Sequence, residues 1–221
     1  MTVGKNCCTL PSVPFRLHGS VLESCVSVRY LGVQFTSTLS FEEHINNVVT
    51  KASRMGYLLL KSFVSKRVDV LGVAFRVYVR PILEAFSPVW NPVKASQSDA
   101  LESVQRRFTR QAFLQSGLPK PDYEERMRTM GLESLRSRRL RLDLGFAHTV
   151  FHADPDSLIA SLLAKAPTNP ITRPSTRINA DLLTPGPLKQ LFKNRIASDW
   201  NELPCETVFL SANSFKKNLK I

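Results

Sequence analysis

The sequence is poor in cysteine and in acidic residues, and it lacks the short motifs that mark several enzyme classes. Its four cysteines are Cys7, Cys8, Cys25 and Cys205. They form no Cys-x-x-Cys pair, which argues against a zinc ribbon and against a secreted disulfide framework. We expect buried small residues or free thiols in a reducing compartment. The nucleophile elbow, the P-loop and the zinc-protease helix motif are also absent, so hydrolases of those types are not indicated.

Long apolar runs are missing as well. The most apolar stretch, residues 70–79, is too short to span a bilayer and carries Arg76. The N-terminal residues contain no apolar segment of the length that a signal peptide requires. We therefore expect an intracellular protein without a membrane partner, in either the nucleus or the cytoplasm.

What the chain has in excess is positive charge. Its 30 lysines and arginines outnumber 18 aspartates and glutamates, which gives a net charge of +12 and a pI near 9.9. The hydrophobic fraction of 43% is that of an ordinary globular protein rather than a disordered one. A folded protein with so large an excess of positive charge is predicted to bind a polyanion.

The residue pattern predicts a mainly α fold: a short N-terminal β-hairpin-like piece followed by a helical bundle and C-terminal helices. Residues 26–35 are rich in β-branched and aromatic side chains, which favour strands. Ser40 and Glu43 have the spacing of a capping box, and apolar residues then recur at helical spacing to Phe63. Further helices are predicted over residues 69–86 with a kink at Pro81, from about 98 to Gly117, and over 123–130, 134–152 and 188–202.

Composition divides the chain into four regions. Residues 1–36 form the β piece, 37–115 a first helical domain, and 116–164 a basic helical region. Residues 165–221 comprise a linker with five prolines between 167 and 187 and a last amphipathic helix.

Two arginine-rich groups are the strongest candidates for binding. Arg106, Arg107 and Arg110 share a predicted helix whose other side is apolar. The second group is Arg136, Arg138, Arg139 and Arg141, in a stretch from 126 to 141 whose only acidic residue is Glu133. Arginine suits bidentate contact with phosphate oxygens, so both groups predict phosphate binding. The alternative is a solvated helix face paired with carboxylates such as Glu102 and Asp143.

His148 and His152 are four residues apart on one predicted helix, a spacing that allows a shared metal ion. No third ligand lies near them in the sequence, and a histidine also stabilises a helix C-terminus. We therefore predict no metal site. The carboxylates of Asp154 and Asp156 are expected to be solvated.

Several stretches, in this order, resemble the reverse transcriptases of LINE-type (non-LTR) retrotransposons. They are VRYLGV (28–33), LSFEEHI (39–45), YVRPILE (78–84), SPVWNP (87–92), LESVQRRFTR (101–110), YEER (123–126), GLESL (131–135), FKNR (192–195), WNELP (200–204) and NSFK (213–216). The similarity covers nearly the whole chain and is weakest between residues 153 and 187. It implies the palm end, the thumb and the part downstream of the thumb.

The same resemblance implies what this chain does not contain. The family's polymerase centre holds two Mg²⁺ ions on an Asp-Asp turn and an earlier palm aspartate, and the sequence has no Asp-Asp pair. We therefore predict no catalytic residue and no cofactor in this chain, with Mg²⁺ belonging to the intact polymerase. The family's pyrophosphate-protonating lysine corresponds to Lys5, with a role only in the intact enzyme.

The implied function is a segment of an RNA-directed DNA polymerase that holds RNA or an RNA–DNA duplex. Tyr30, Leu31, Gly32 and Val33 correspond to the primer grip, and the arginine-rich helices would contact the nucleic-acid backbone without sequence specificity. Two alternatives stay open: a helical module that docks on the missing palm and fingers or on another protein, and a retroelement remnant without function.

Overall fold

The computed structural model describes residues 15–23, 25–92, 94–119, 121–154, 156–163, 177–178 and 192–219. Lys5, Cys7, Cys8, most of the proline-rich linker and the predicted start of the last helix lie outside these residues. The elements are β1 (Arg16–Leu17), β2 (Ser20–Val21), β3 (Ser27–Tyr30), β4 (Val33–Thr36), α1 (Glu42–Ser62), α2 (Val68–Ala74), a π-helical turn (Phe75–Val79), α3 (Arg80–Glu84), α4 (Ser87–Trp90), α5 (Ala95–Ser116), α6 (Tyr123–Thr129), α7 (Leu135–Phe151), a 3-10 turn (Ala160–Leu162), α8 (Phe192–Asn201), α9 (Cys205–Val208) and α10 (Ala212–Asn218). The predicted mainly α fold with a small N-terminal β region is confirmed.

The β region consists of two antiparallel hairpins. β1 pairs with β2 through Leu17 and Ser20, and β3 pairs with β4 through Tyr30 and Val33. Each hairpin turns on two residues with positive φ, His18–Gly19 in the first and Leu31–Gly32 in the second. Positive φ at both positions is the geometry of tight two-residue hairpins, because it matches the twist of the strands.

Helix α1 has the predicted apolar face but not the predicted capping box. Ile45, Val48, Ala52 and Leu59 are buried along it. The N-cap is Phe41, and the Ser40 hydroxyl accepts only a long bond of 3.4 Å from the amide of Glu42. The capping-box prediction is wrong because Thr36 holds the backbone of Ser40 outside the helix: its hydroxyl accepts from Ser40 N at 3.0 Å and donates to Ser40 O at 2.9 Å.

The predicted interruption at Pro81 takes the form of a π-helical turn. Proline has no amide hydrogen to donate to the preceding turn and its ring crowds the carbonyl one turn back. The chain widens into the π-turn over Phe75–Val79 and resumes as α3, with Pro81 in its first turn. Such single π-turns are a regular way for a helix to absorb a local defect.

Helices α5, α6 and α7 begin and end at residues suited to those positions. α5 ends at Gly117, whose φ of 71° favours glycine. Asp122 caps α6 by accepting from the amide of Glu125 at 2.8 Å, and Ser134 caps α7 by accepting from Ser137 N at 3.1 Å.

The buried apolar residues form two cores, and α7 belongs to both. The first core joins α1 to α6 and includes Met130, Leu132 and Leu135, so packing crosses the predicted boundary at 115/116. The second core joins the C-terminal half of α7 to α8, α9 and α10 around Trp200 and Phe215.

Two features of the C-terminal half do not follow from the sequence pattern. Leu142 and Phe146 on α7 are 39% and 38% exposed, while Arg139 and Asp143 occupy buried positions on the same helix. Helices α9 and α10 were not predicted, since elements of four and seven residues are too short to show a helical period.

Candidate nucleic-acid interface

Helices α1 and α5 pack side by side and share a groove on the molecular surface. Gly56 on α1 faces the Phe108 ring on α5, and a Cβ at Gly56 would come within 3.2 Å of that ring. The missing side chain thus permits the close approach of the two helices. The groove between them has a volume of about 380 Å³.

The three arginines predicted on α5 are all exposed. Arg107 reaches across to α1, where its Nη2 donates to Ser53 Oγ at 3.4 Å, while its Nε donates to Ser103 O at 3.3 Å. The Arg106 guanidinium carbon lies 5.2 Å from the centre of the Tyr123 ring. Arg110 lines the groove. These contacts orient the side chains and leave their charges facing solvent.

Helix α1 adds cations that the sequence reasoning missed. Lys51, Arg54 and Lys61 are exposed on it. Six exposed cations therefore lie on the two helices, and we call them together the α1/α5 basic face: Lys51, Arg54, Lys61, Arg106, Arg107 and Arg110. Arg107 and Arg110 line the groove, whereas Lys51 and Arg54 line a neighbouring recess on α1. No ion pair joins any of the six to a carboxylate in the described part of the chain.

The charge of this face follows directly from the sequence. No aspartate or glutamate occurs between residues 44 and 68 or between 103 and 121. A search for stretches without carboxylates, rather than for arginine clusters alone, would have identified the cations of α1 from the sequence. Two such stretches on adjacent helices give a positive potential that neighbouring side chains do not cancel.

The second predicted arginine group is largely compensated. Arg138 donates from Nη2 to Glu84 Oε2 at 3.0 Å, and Arg141 donates from Nη1 to Glu133 Oε2 at 2.9 Å. The hydrogen bond to Glu84 raises the pKa of Arg138. Glu84 lies on α3, 54 residues earlier in the chain, so a local count of charges could not reveal it.

Arg139 must be removed from the predicted binding set. It is 1% exposed, and it donates from Nε to Asn91 Oδ1 at 3.1 Å and from Nη2 to Ser98 Oγ at 3.0 Å. Burial lowers the pKa of its guanidinium. A side chain enclosed in this way does not reach a phosphate outside the molecule. Arg136, by contrast, is exposed.

Arg139 belongs to a buried polar network that connects the two cores. Asn91 also donates from Nδ2 to Asp143 Oδ2 at 2.6 Å, and Arg195 on α8 donates from Nε to the same oxygen at 3.3 Å. Burial raises the pKa of Asp143, while Arg195 and Asn91 act in the opposite direction. The network fixes α7 against α4 and α8, which is a structural role.

The four residues predicted to correspond to a primer grip, 30–33, form the tip of the second hairpin. Tyr30 and Leu31 are 64% and 71% exposed, whereas Val33 is buried in the first core. Leu31 has a φ of 47°, a strained conformation for a branched apolar residue. Below the tip, a cavity of about 490 Å³ is lined by side chains that include Arg29, His44 and Lys51.

The histidine pair on α7 binds the C-terminal segment. The Nε2 atoms of His148 and His152 lie 3.0 Å and 2.8 Å from the carbonyl oxygens of Leu210 and Val208. Each of the two histidines donates one bond as a neutral imidazole protonated at Nε2. Within the described residues no group of three or more His, Cys, Asp or Glu is placed to hold a metal ion.

The part of the chain that the structure describes contains no helix with the length and apolar character needed to cross a membrane.

Comparison of the chain with protein-family models, with curated proteins and with solved structures finds no match in any of the three.

Proposed function

We propose that this chain is a non-catalytic segment of a LINE-type reverse transcriptase that holds RNA or an RNA–DNA duplex through the α1/α5 basic face. The observation that carries the proposal is the set of six exposed, uncompensated cations on two adjacent helices. Charges of this kind bind the phosphate backbone by releasing condensed counterions, largely without regard to sequence.

The family assignment is supported by the ordered sequence motifs. Three of them supply the residues of this face and of the second hairpin: 28–33, 39–45 with the helix that follows, and 101–110. The exposed tip at Tyr30 and Leu31 is suited to contact with a ligand, since strain and apolar exposure together are unusual outside functional sites.

The chain's own residues do not fit the two Mg²⁺ ions of such a polymerase. The sequence has no Asp-Asp pair, and within the described residues no three or more His, Cys, Asp or Glu side chains are grouped so as to hold a metal ion. Nucleotide transfer is therefore not part of the function proposed for this chain.

Salt-dependent binding of a fluorescent RNA–DNA hybrid tests the proposal. The variant Arg106→Ala/Arg107→Ala/Arg110→Ala should bind more weakly, and its plot of log affinity against log salt should be flatter by about two to three units, at roughly 0.7–0.9 per lost contact. The matched control removes three exposed charges elsewhere: Arg128→Ala/Lys216→Ala/Lys217→Ala. Equal slopes for the parent and the α5 variant, with folding verified by circular dichroism, would overturn the proposal.

A docking module is the second candidate, and the two hairpins favour it. They expose large apolar side chains: Phe15, Leu17, Val21, Leu22, Val26, Tyr30 and Leu31. Exposed apolar side chains in this number suit contact with a protein partner such as the palm of a polymerase. Binding to that partner should depend little on salt, which separates it from phosphate binding.

A further inference from the structure

An exposed aromatic ring lies within the α1/α5 groove. Tyr57 is 64% exposed and lines the groove together with Arg107, Arg110 and Gly56. A tyrosine ring presents a flat apolar surface that can stack on another ring, and a hydroxyl that tolerates water. Here the ring stands at the edge of the opening between two basic helices.

Four cations lie on the two helices beside this ring, two on each helix. On α1, Arg54 precedes Tyr57 by three residues and Lys61 follows it by four, so both are its neighbours on the helix surface. Arg107 and Arg110 lie across the groove, and Arg107 contacts Ser53, one turn before Tyr57. No carboxylate occurs in the stretches of α1 and α5 that supply these residues.

An aromatic ring framed by cations has the chemistry that single-stranded nucleic acid requires. The cations follow the backbone phosphates, while the ring stacks on a base that is not paired. A duplex offers phosphates but keeps its bases stacked inside, so it would use the cations and leave the ring unoccupied. A protein partner of opposite charge would not need the ring between the cations.

We infer that the α1/α5 groove is a single-strand binding site in which Tyr57 stacks on an unpaired base while Arg54, Lys61, Arg107 and Arg110 hold the adjacent phosphates. The inference rests on the proposed nucleic-acid binding and adds a preferred ligand class and a base-contacting residue to it. The site would hold the unpaired part of an RNA strand beside the duplex that the same face binds.

The test compares Tyr57→Ala and Tyr57→Phe with the parent on three ligands. They are a fluorescent oligouridylate of roughly twelve nucleotides, an abasic strand with the same backbone, and an RNA–DNA hybrid. Tyr78→Ala is the matched control, because Tyr78 is 52% exposed and does not line this groove. Since Tyr57 is exposed, these variants should fold, and circular dichroism verifies that they do.

Tyr57→Ala should lose about tenfold in affinity for the oligouridylate, because the stacking contact with one base is removed. Its salt slope should stay that of the parent, because no phosphate contact is lost. Tyr57→Phe and Tyr78→Ala should bind as the parent does, and Tyr57→Ala should leave affinity for the abasic strand and the hybrid unchanged. A strand carrying 2-aminopurine should be quenched by the parent and less so by Tyr57→Ala.

Two results would overturn the inference while leaving the proposed function intact: parent-like affinity of Tyr57→Ala for the oligouridylate, or an equal loss on the abasic strand. Failure of the parent to bind any of the three ligands would overturn the proposed function and this inference together.

Discussion

Arg136 and Arg139 lie one turn apart on α7, but they differ in how much each contributes to the stability of the fold. Arg136 is exposed, whereas Arg139 is enclosed with its Nε on Asn91 and with Asp143 nearby. A buried charge is tolerated only while its partners remain, because an unpaired buried carboxylate has lost its hydration without compensation.

Replacing Arg139 should therefore unfold the protein far more readily than replacing Arg136. Arg139→Ala leaves Asp143 with less opposing charge and opens a cavity, and it should lower the free energy of unfolding by about 3 kcal/mol or more. Arg136→Ala should change it by no more than about 0.5 kcal/mol.

Urea denaturation of both variants beside the parent measures the difference. Nucleic-acid binding gives the complementary readout, since only Arg136 is placed to meet a ligand. A small loss of stability in Arg139→Ala would show that the buried network contributes little.

The sequence could not distinguish these two arginines. Both belong to a run with a single local carboxylate, and the partners of Arg139 come from residues 91 and 98, far earlier in the chain. Exposure of Arg106, Arg107 and Arg110 was predictable, because the apolar period of α5 leaves them on the opposite side.

At the level of helices, the observed caps replace the one predicted at Ser40. Ser134→Ala removes an acceptor for Ser137 N and should lower the free energy of unfolding by about 1 kcal/mol. Ser40→Ala removes only a long contact to the amide of Glu42, so it should lower the free energy of unfolding by only about a few tenths of a kcal/mol. Thermal and urea unfolding of the two variants test the ranking, and a larger loss in Ser40→Ala than in Ser134→Ala would contradict it.

The stability of the contact between α7 and the C-terminal segment should depend on pH. Burial, followed by the charge of His152 and of Lys216, lowers the pKa of His148 below its ordinary 6.5, while its carbonyl partners act in the opposite direction. The folded protein therefore binds fewer protons at this site than the unfolded chain. Its stabilising effect is fully present above the unfolded value and is lost as pH falls through the folded pKa.

We expect the protein to unfold at lower urea concentration at about pH 5.5 than at about pH 7.5. His148→Gln keeps a side-chain donor for Leu210 O but does not titrate, so it should reduce this difference. His44 is also buried, and burial lowers its pKa. We therefore expect His44 to account for part of the pH dependence that remains in His148→Gln. The same pH difference in His148→Gln as in the parent would show that His148 is not responsible.

Across the whole molecule, long periodic elements were predictable and their arrangement was not. The apolar faces of α1 and α5 determine those helices locally, and the proline at 81 marks a break that became a π-turn. The sharing of α7 by two cores depends on contacts between residues far apart, such as Arg195 Nε with Asp143 Oδ2 on α7 at 3.3 Å, 52 residues apart. Similarly, the α1/α5 basic face exists only because packing places two carboxylate-free stretches together.

We expect the whole chain to bind nucleic acid without catalysing nucleotide addition. Templated nucleotide addition needs carboxylates that hold two metal ions, and the sequence contains no Asp-Asp pair to supply them. We therefore expect the purified chain to bind a primed RNA template but to extend no primer with deoxynucleotides and Mg²⁺ or Mn²⁺. A known reverse transcriptase on the same template serves as the positive control. Template-dependent extension that copurifies with the chain and survives removal of contaminating polymerase would contradict the expectation. In that case, the metal-binding carboxylates would have to come from a pairing of acidic residues that are distant in the sequence.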